Sequence, residues 1–458
     1  MQVAAAAALI ALYVTWFAFR WVGAGFTPDD LMNCHRALIQ PLGRLLLDHL
    51  TFFLPSPDFR PAGSLFYRAV YRTFGFDPLP FHLALQGLQL LNAYLTYLLV
   101  KRLTGNTQAA WIATALHAWH GNWAGLWQNT GLVYDVLCYA FSTLTLLAWD
   151  SRRTALFFAL FVMALNCKEL AVSLPVICLV WELVKAWPTR PSARRLTYGL
   201  VAGGMSAAFI AGRLMQSDGL MSNPAYQPHF DWATFANRVG AYLTGAIYYQ
   251  QSYYPWAGAA ALAGTGWALW KHPRPTLVSL ALSLVAILPV AFIAPRGFEA
   301  AFLASLGAVT IFGLALADLL TRCGATRTLT ITALPLLLAG CIHYRFLDWD
   351  ATGLSLETAE ISSLTRQFRQ LVPIMPRGAH VRLNRNPLKD EWNSLFLSRL
   401  LYHDLSIEVS RPGHKAPGPY DVELDWEPDG GGPGQGVLRR RSLEATKAST
   451  APKTTPSK

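Results

Sequence analysis

Long apolar runs separated by short basic turns occupy most of the first 350 residues. A helix needs about 20 mostly apolar residues to cross a bilayer core of about 30 Å. Eleven runs approach that pattern: Val3–Val22, His82–Val100, Ala109–Trp119, Leu132–Trp149, Ala155–Leu165, Leu170–Trp187, Leu196–Leu214, Trp256–Trp270, Thr276–Ile293, Ala300–Leu320 and Leu329–Phe346. The runs near 110 and 160 are short, as tilted or re-entrant segments are. No Lys or Arg precedes Val3–Val22, so it reads as a retained span rather than a secretory signal.

Beyond Leu347 the period changes. Ala379–Asn384 alternates like a strand, Ser394–His403 reads as a helix, and Leu405–Ser410 and Tyr420–Trp426 read as strands. From Glu427 onward Gly, Pro, Ser and Thr accumulate around Arg439, Arg440 and Arg441, the composition of a disordered tail. The expected fold is therefore an all-α polytopic membrane protein of about 11 transmembrane helices, with a small C-terminal α/β domain. The expected divisions are a transmembrane region at 1–347, the α/β domain at 348–427 and a disordered basic tail at 428–458.

Composition agrees: 53% of residues are hydrophobic and 14% charged. Soluble domains carry roughly 25% charged residues, so a cytosolic enzyme and a disordered chain are both excluded. The net charge of +11 could suggest nucleic acid. Its placement argues otherwise. With the N-terminus assigned to the cytoplasm, the cytoplasmic turns hold Lys101 and Arg102; Arg152 and Arg153; Lys185, Arg190, Arg194 and Arg195; Lys271 and Arg274; and Arg322 and Arg327. This is the positive-inside pattern, and it calls for a membrane and no nucleic acid. Long segments at 23–81, 216–254 and after 347 then lie on the outer side. The six cysteines form no CxxC pair, which argues against a zinc or redox site. The absence of an Asn-x-Ser/Thr sequon leans toward a bacterial inner membrane, with the outer side in the periplasm.

Ionisable groups beside a hydrocarbon layer are costly, and each is a candidate for function. Asp29 and Asp30, in FTPDD, raise each other's pKa and can supply a general base, or can simply start a helix. Lys168 and Glu169 sit at an outer turn, where Lys runs against the charge rule. Arg296, with Glu299 behind it, suits a phosphate or a lipid diphosphate, or anchors at the surface. His117 and His120, three apart, share a helix face; they can bind a ligand by hydrogen bonds, or pack. No acid or cysteine completes a metal set around them. Asp135 and Asn92 lie within spans, where each needs a partner, and for Asn92 a structural bond is expected. Leu38–Leu54 is amphipathic, with Arg44, Asp48 and His49 on one side, and suits the interface. Tyr242–Trp256 suits an aromatic belt or a sugar-stacking surface.

These pieces resemble the GT-C class of integral-membrane glycosyltransferases, and most of all the transmembrane O-mannosyltransferases with tetratricopeptide repeats and their bacterial relatives. FTPDDLMNC resembles their acidic first-loop motif. FRPAGSLFYRAVYRTFGFDPLPFHLALQGLQLLNAYLTYLL resembles their Arg-Pro run, placing Arg60, His82 and Asn92. ALHAWHGNWAGLWQNTGLVYDVL resembles their His-x-x-His stretch and Asp, here His117, His120 and Asp135. LNCKELAVSLPVICLVWE resembles their Lys-Glu motif, and APRGFEAAFLASLGAVTIFGLAL their late Arg-containing helix start. The likeness spans roughly residues 20–320. It departs at Phe298, Phe302 and Ala304, where the family has Tyr and Pro. The repeats are absent, since residues 348–458 show no 34-residue period.

The resemblance implies an inverting transfer of sugar from a polyprenyl-phosphate donor to an acceptor hydroxyl of a glycan, lipid or protein. Asp29, supported by or exchanging with Asp30, would be the base. Lys168 and Arg296, then Arg60, would stabilise the leaving phosphate, with Glu169, His117, His120 and Asp135 lining the substrate site. No cofactor is required, and a divalent metal between Asp29, Asp30 and phosphate is permitted. Two other classes share parts of this pattern. A transporter or flippase would place charge at the bilayer midplane within repeated halves. A non-catalytic envelope assembly protein would tolerate loss of Asp29 and Lys168.

Overall fold

The computed structural model describes residues 22–54, 60–118, 120–123, 125–215, 227–246, 255–324, 354–388, 390–411, 414–415, 419–428 and 436–441. Its helices, in chain order, are α1 (Pro28–Ile39), α2 (Leu42–Leu50), α3 (Pro61–Phe74), α4 (Pro78–Thr104), α5 (Thr107–Ala118), α6 (Gly125–Gln128), α7 (Val133–Asp150), α8 (Thr154–Cys167), α9 (Leu174–Ala186) and α10 (Ala193–Leu214). Then follow α11 (Trp232–Ala246), α12 (Pro255–Lys271), α13 (Pro273–Val285), α14 (Phe302–Arg322), α15 (Leu354–Leu371) and α16 (Glu391–Leu401). The strands are β1 (His380–Leu383), β2 (Glu408–Ser410), β3 (Val422–Pro428) and β4 (Gly436–Arg440). The chain divides into two compact units, and not in simple sequence order. The first comprises Met1–Val22, Leu42–Phe66 and His82–Asp350; the second comprises Gly23–Pro41, Tyr67–Phe81 and Ala351–Lys458.

Four helical stretches among the described residues are long and apolar enough to cross a membrane: Pro78–Thr104, Thr130–Asp150, Pro273–Val290 and Phe298–Arg322. Eleven spans are not confirmed among the described residues. Val3–Val22 (save Val22) and Leu329–Phe346 lie outside the described residues. Other runs form shorter helices. At 1.5 Å per residue, α5 and α8 extend about 18 and 21 Å, well short of a bilayer core. Leu170–Trp187 is divided between a 3₁₀ turn, Glu169–Ser173, and α9. Helix α10 has the length but carries Arg194, Arg195 and Arg213.

Ala109, Ile112, Ala268, Ile311, Leu314 and Ala317 form a buried core uniting α5, α12 and α14. Glycines permit the closest contacts. A Cβ on Gly307 would stand 2.1 Å from the Ser279 carbonyl of α13, and one on Gly313 would stand 2.6 Å from that of Ala109 in α5.

The basic turns of the first unit gather at one end. Arg102 (2.7 Å) and Lys185 (2.8 Å) both donate to Asp150, at the end of α7. Arg195 donates to the Trp149 carbonyl at 2.6 Å, and Arg274 to that of Trp187 at 2.7 Å. Asp318 accepts from Trp267 and Arg322 one turn from the ends of α12 and α14. This clustering of the turns is what the charge pattern predicts. Asp135 lies in the first turn of α7, about 22 Å of helix away from Asp150.

The amphipathic segment divides at Gln40 and Pro41. A residue before proline is disfavoured in the α region, and Gln40 is extended with ψ of 137°. Helix α2 then turns its polar residues inward: Asp48 and His49 are buried, whereas Leu42, Leu46, Leu47 and Leu50 are exposed. That inversion suits a helix whose outer surface meets lipid. Arg44 reaches Asp48 at 2.9 Å, and Asn166 donates to the His49 carbonyl at 3.0 Å, fixing α2 to the end of α8.

In the second unit, a mixed sheet has the order β2-β1-β3-β4, with β1 parallel to both neighbours and β4 antiparallel to β3. Val381, Val409, Val422 and Leu424 are buried beneath it. Strand β4 corrects the expectation of a tail disordered from 428. Leu438 pairs with Trp426, and Arg439 with Glu427 at 3.1 Å. Arg439, which looked like tail charge, is a strand residue paired with Glu427 across the ladder, and Arg441, just past the strand, pairs with Asp425. Residues 442–458 lie outside the description.

Candidate active site

In the first unit the chain breaks helix at Lys168, whose φ of −160° and ψ of 151° are extended. The break sends two neighbouring side chains to different partners. Lys168 pairs with Asp135 in a short contact. Glu169 takes the Arg60 guanidinium through Nη2 at 3.0 Å and Nε at 3.4 Å. Arg60 also stands 5.6 Å from the centre of the Tyr134 ring, one residue before Asp135. A Cβ on Gly63 would lie 2.0 Å from that ring, so the glycine of the Arg-Pro-Ala-Gly run is needed where α3 passes α7.

Two ion pairs thus sit side by side at the end of α7 opposite the basic turns. Both are partly shielded, with Asp135 4% and Glu169 22% exposed. Burial alone would raise the Glu169 carboxyl, but Arg60 and Lys168 hold it below the ordinary glutamate value. Glu299, which sequence reading noted only as a neighbour of Arg296, lies within electrostatic range of Asp135, Lys168 and Arg296. Arg296 itself is half-buried, and its backbone is held by Tyr242, whose hydroxyl accepts from the amide at 3.2 Å.

The two histidines pack. The His117 ring stacks on Tyr139 at 4.6 Å and on Phe302 at 4.8 Å, with Nδ1 3.2 Å from the Ser305 hydroxyl. His120 stacks on Trp123 at 4.4 Å, and its Nε2 meets the Ala246 carbonyl at 3.0 Å. Phe302, one of the departures from the family pattern, is therefore a stacking partner. Asn92 donates to Gln89 and to the Val136 carbonyl, the structural bonding expected of it.

Asp29 and Asp30 belong to the second unit, at the start of α1. The spacing Thr27-x-x-Asp30 forms a capping box, an ordinary helix-start signal. Asp30 is fully buried. Its Oδ2 accepts from the Thr27 amide at 2.8 Å and hydroxyl at 2.9 Å, and its Oδ1 accepts from the Tyr67 hydroxyl at 2.8 Å. Asp29 is exposed, yet the crowding around it and the neighbouring Asp30 raise its pKa above the usual aspartate value. Adjacent carboxylates that look alike in sequence therefore occupy opposite environments.

This donor set does not fit a divalent cation. Both Asp30 oxygens are already engaged, and the described residues contain no group of three His, Cys, Asp or Glu side chains placed to hold one.

No family model and no curated protein matches the sequence. Among solved structures, ArnT from Cupriavidus metallidurans bound to undecaprenyl phosphate superposes with a TM-score of 0.55 at 13% identity, over 89% of this chain and 86% of that one. The fold is GT-C-like. The Archaeoglobus fulgidus oligosaccharyltransferase, tethered to an acceptor peptide containing the NVT sequon, matches at a TM-score of 0.48 and 12% identity, over 88% of this chain and 63% of that one. The four long apolar helical stretches and the likeness to ArnT support an integral membrane protein.

Proposed function

We propose that this protein is an inverting membrane glycosyltransferase, taking sugar from a polyprenyl-phosphate donor to an acceptor hydroxyl at the outer, periplasmic face of a bacterial inner membrane. The observation that carries this reading is the double ion pair, Arg60–Glu169 and Lys168–Asp135, at the end of α7 remote from the basic turns. A GT-C-like fold shared with a protein crystallised with undecaprenyl phosphate supports the lipid-linked donor.

The acceptor oxygen attacks the anomeric carbon while the bond from that carbon to the phosphate oxygen breaks. The acceptor proton passes to Asp29, and the leaving phosphate departs with the bonding pair. Asp29 suits this because it is exposed and its raised pKa makes it a better base than an ordinary aspartate. Asp30 holds the turn that presents it.

Charge grows on the phosphate oxygens as the bond breaks, and fixed cations stabilise it. Lys168 has three N–H donors and Arg60 five. Their carboxylate partners fix their positions before the donor arrives. Arg296 supplies a third cation. The test is sugar transfer in membranes given polyprenyl-phosphate sugar. Asp29→Asn should abolish transfer without lowering the amount of protein, and full transfer by that variant would sink the assignment.

A further inference from the structure

The strand order makes β1 a switch point. The chain leaves β1 through α16 to reach β2 on one side, then returns to pair β3 on the other. In open α/β sheets, ligands bind in the crevice beyond the carboxyl ends of the strands at such a point. Here the last residues of β1 and β2, with the segment leading into α16, enclose about 530 Å³. That volume falls within the range of small-molecule sites and far exceeds one phosphate.

Among the described residues, four cations line the crevice, Arg382, Arg385, Arg411 and Lys415, against one carboxylate, Glu391. Among the described residues, the unit's ion pairs are made by other basic residues: Arg399 and His414 with Glu408, Arg439 with Glu427, and Arg441 with Asp425. Two of the four cations are ordered by aromatic rings. The Arg411 guanidinium stands 3.7 Å from the Trp392 ring centre, and Arg382 stands 5.4 Å from that of Tyr420. The remaining wall carries amide and hydroxyl groups, Asn384, Asn386, Ser394 and Ser410, beside the apolar Leu383 and Val409. Ser394 donates to Asn386 at 2.5 Å, and the Ser410 and Tyr420 hydroxyls lie 3.3 Å apart.

Guanidinium groups match phosphate oxygens in pairs, while amides and hydroxyls match sugar hydroxyls. We propose that this crevice is a second binding site, outside the transfer residues, for a phosphorylated saccharide. The phosphate lies against Arg411, Arg382, Arg385 and Lys415, and the sugar against the amide and hydroxyl wall. The proposal does not rest on the glycosyltransferase reading, and either can fail alone.

The test is isothermal titration of the full chain in detergent with glucose 1-phosphate, inorganic phosphate and glucose. Saturable binding of glucose 1-phosphate is expected, tighter than that of inorganic phosphate by about tenfold, the worth of one or two hydrogen bonds. Arg411→Gln should weaken it by about tenfold, as loss of one charge-assisted hydrogen bond does. That variant also loses its contact with Trp392. Arg385→Gln, at an exposed position, gives the same reading if Arg411→Gln does not fold, and thermal unfolding certifies either protein. The proposal is overturned by an absence of saturable binding, by equal affinity for inorganic phosphate, or by unchanged affinity in the variants.

Discussion

Asp29 and Asp30 offer a separation of catalysis from stability. Asp30→Ala removes the acceptor of three buried hydrogen bonds, from the Thr27 amide, the Thr27 hydroxyl and the Tyr67 hydroxyl. Losing a buried acceptor of this kind costs about 1–3 kcal/mol or more, so the variant should be clearly destabilised. Asp29→Asn changes an exposed side chain, where substitutions stay within about 0.5 kcal/mol. It removes the proposed base, and loss of a general base lowers rate by about 10²–10⁴. The assay pairs thermal unfolding of the full chain in detergent with sugar transfer in membranes. Asp30→Ala should lower the unfolding midpoint by several degrees; Asp29→Asn should leave it in place and lose transfer. The pH profile adds a sign. Asp29 must be deprotonated to act, so its raised pKa places the acid limb of transfer above that of an ordinary aspartate. Full transfer by Asp29→Asn, or an unmoved midpoint in Asp30→Ala, would refute this division of labour.

Lys168→Met should leave the Asp135 carboxylate buried and unpaired, at a cost of about 3–5 kcal/mol. Adding Asp135→Asn should recover most of the stability without recovering donor affinity; recovered affinity would remove Lys168 from the phosphate site. Gly307→Ala drives a Cβ into the Ser279 carbonyl and should destabilise by about 1–3 kcal/mol, read as lower protein yield and midpoint. In the second unit, burial and then Arg399 push the His35 imidazole down to about 4, while Arg399 donates to its Nε2 at 3.2 Å. Its pKa is depressed relative to the unfolded chain, so its contribution is present above about 6.5 and fades as pH falls toward 4. His35→Phe, which keeps a ring against Phe396, should flatten that loss in thermal unfolding; an equal pH dependence would contradict it.

Much of this was legible in the chain. Thr27-x-x-Asp30 announces its capping box, and the basic turns announce a shared end because membrane topology imposes charge asymmetry. The alternation at 379–384 and 420–426 marks β1 and β3. What could not be read is contact across sequence. Nothing in the chain says that Glu169 meets Arg60, 109 residues away, or that Lys168 beside it turns to Asp135. The inward turn of Asp48 and His49 was equally hidden, since an amphipathic pattern gives two faces without saying which one meets lipid. Arg439 and Arg441 looked like tail charge because their acidic partners lie on another strand.

Transfer of a sugar is the central claim, and the product tests it most directly. The gene is deleted, and envelope glycans and glycolipids are compared with the parent by mass spectrometry. A species lacking one sugar, restored by the intact gene but not by the Asp29→Asn form, is the predicted result. An unchanged glycan and glycolipid profile would contradict the account.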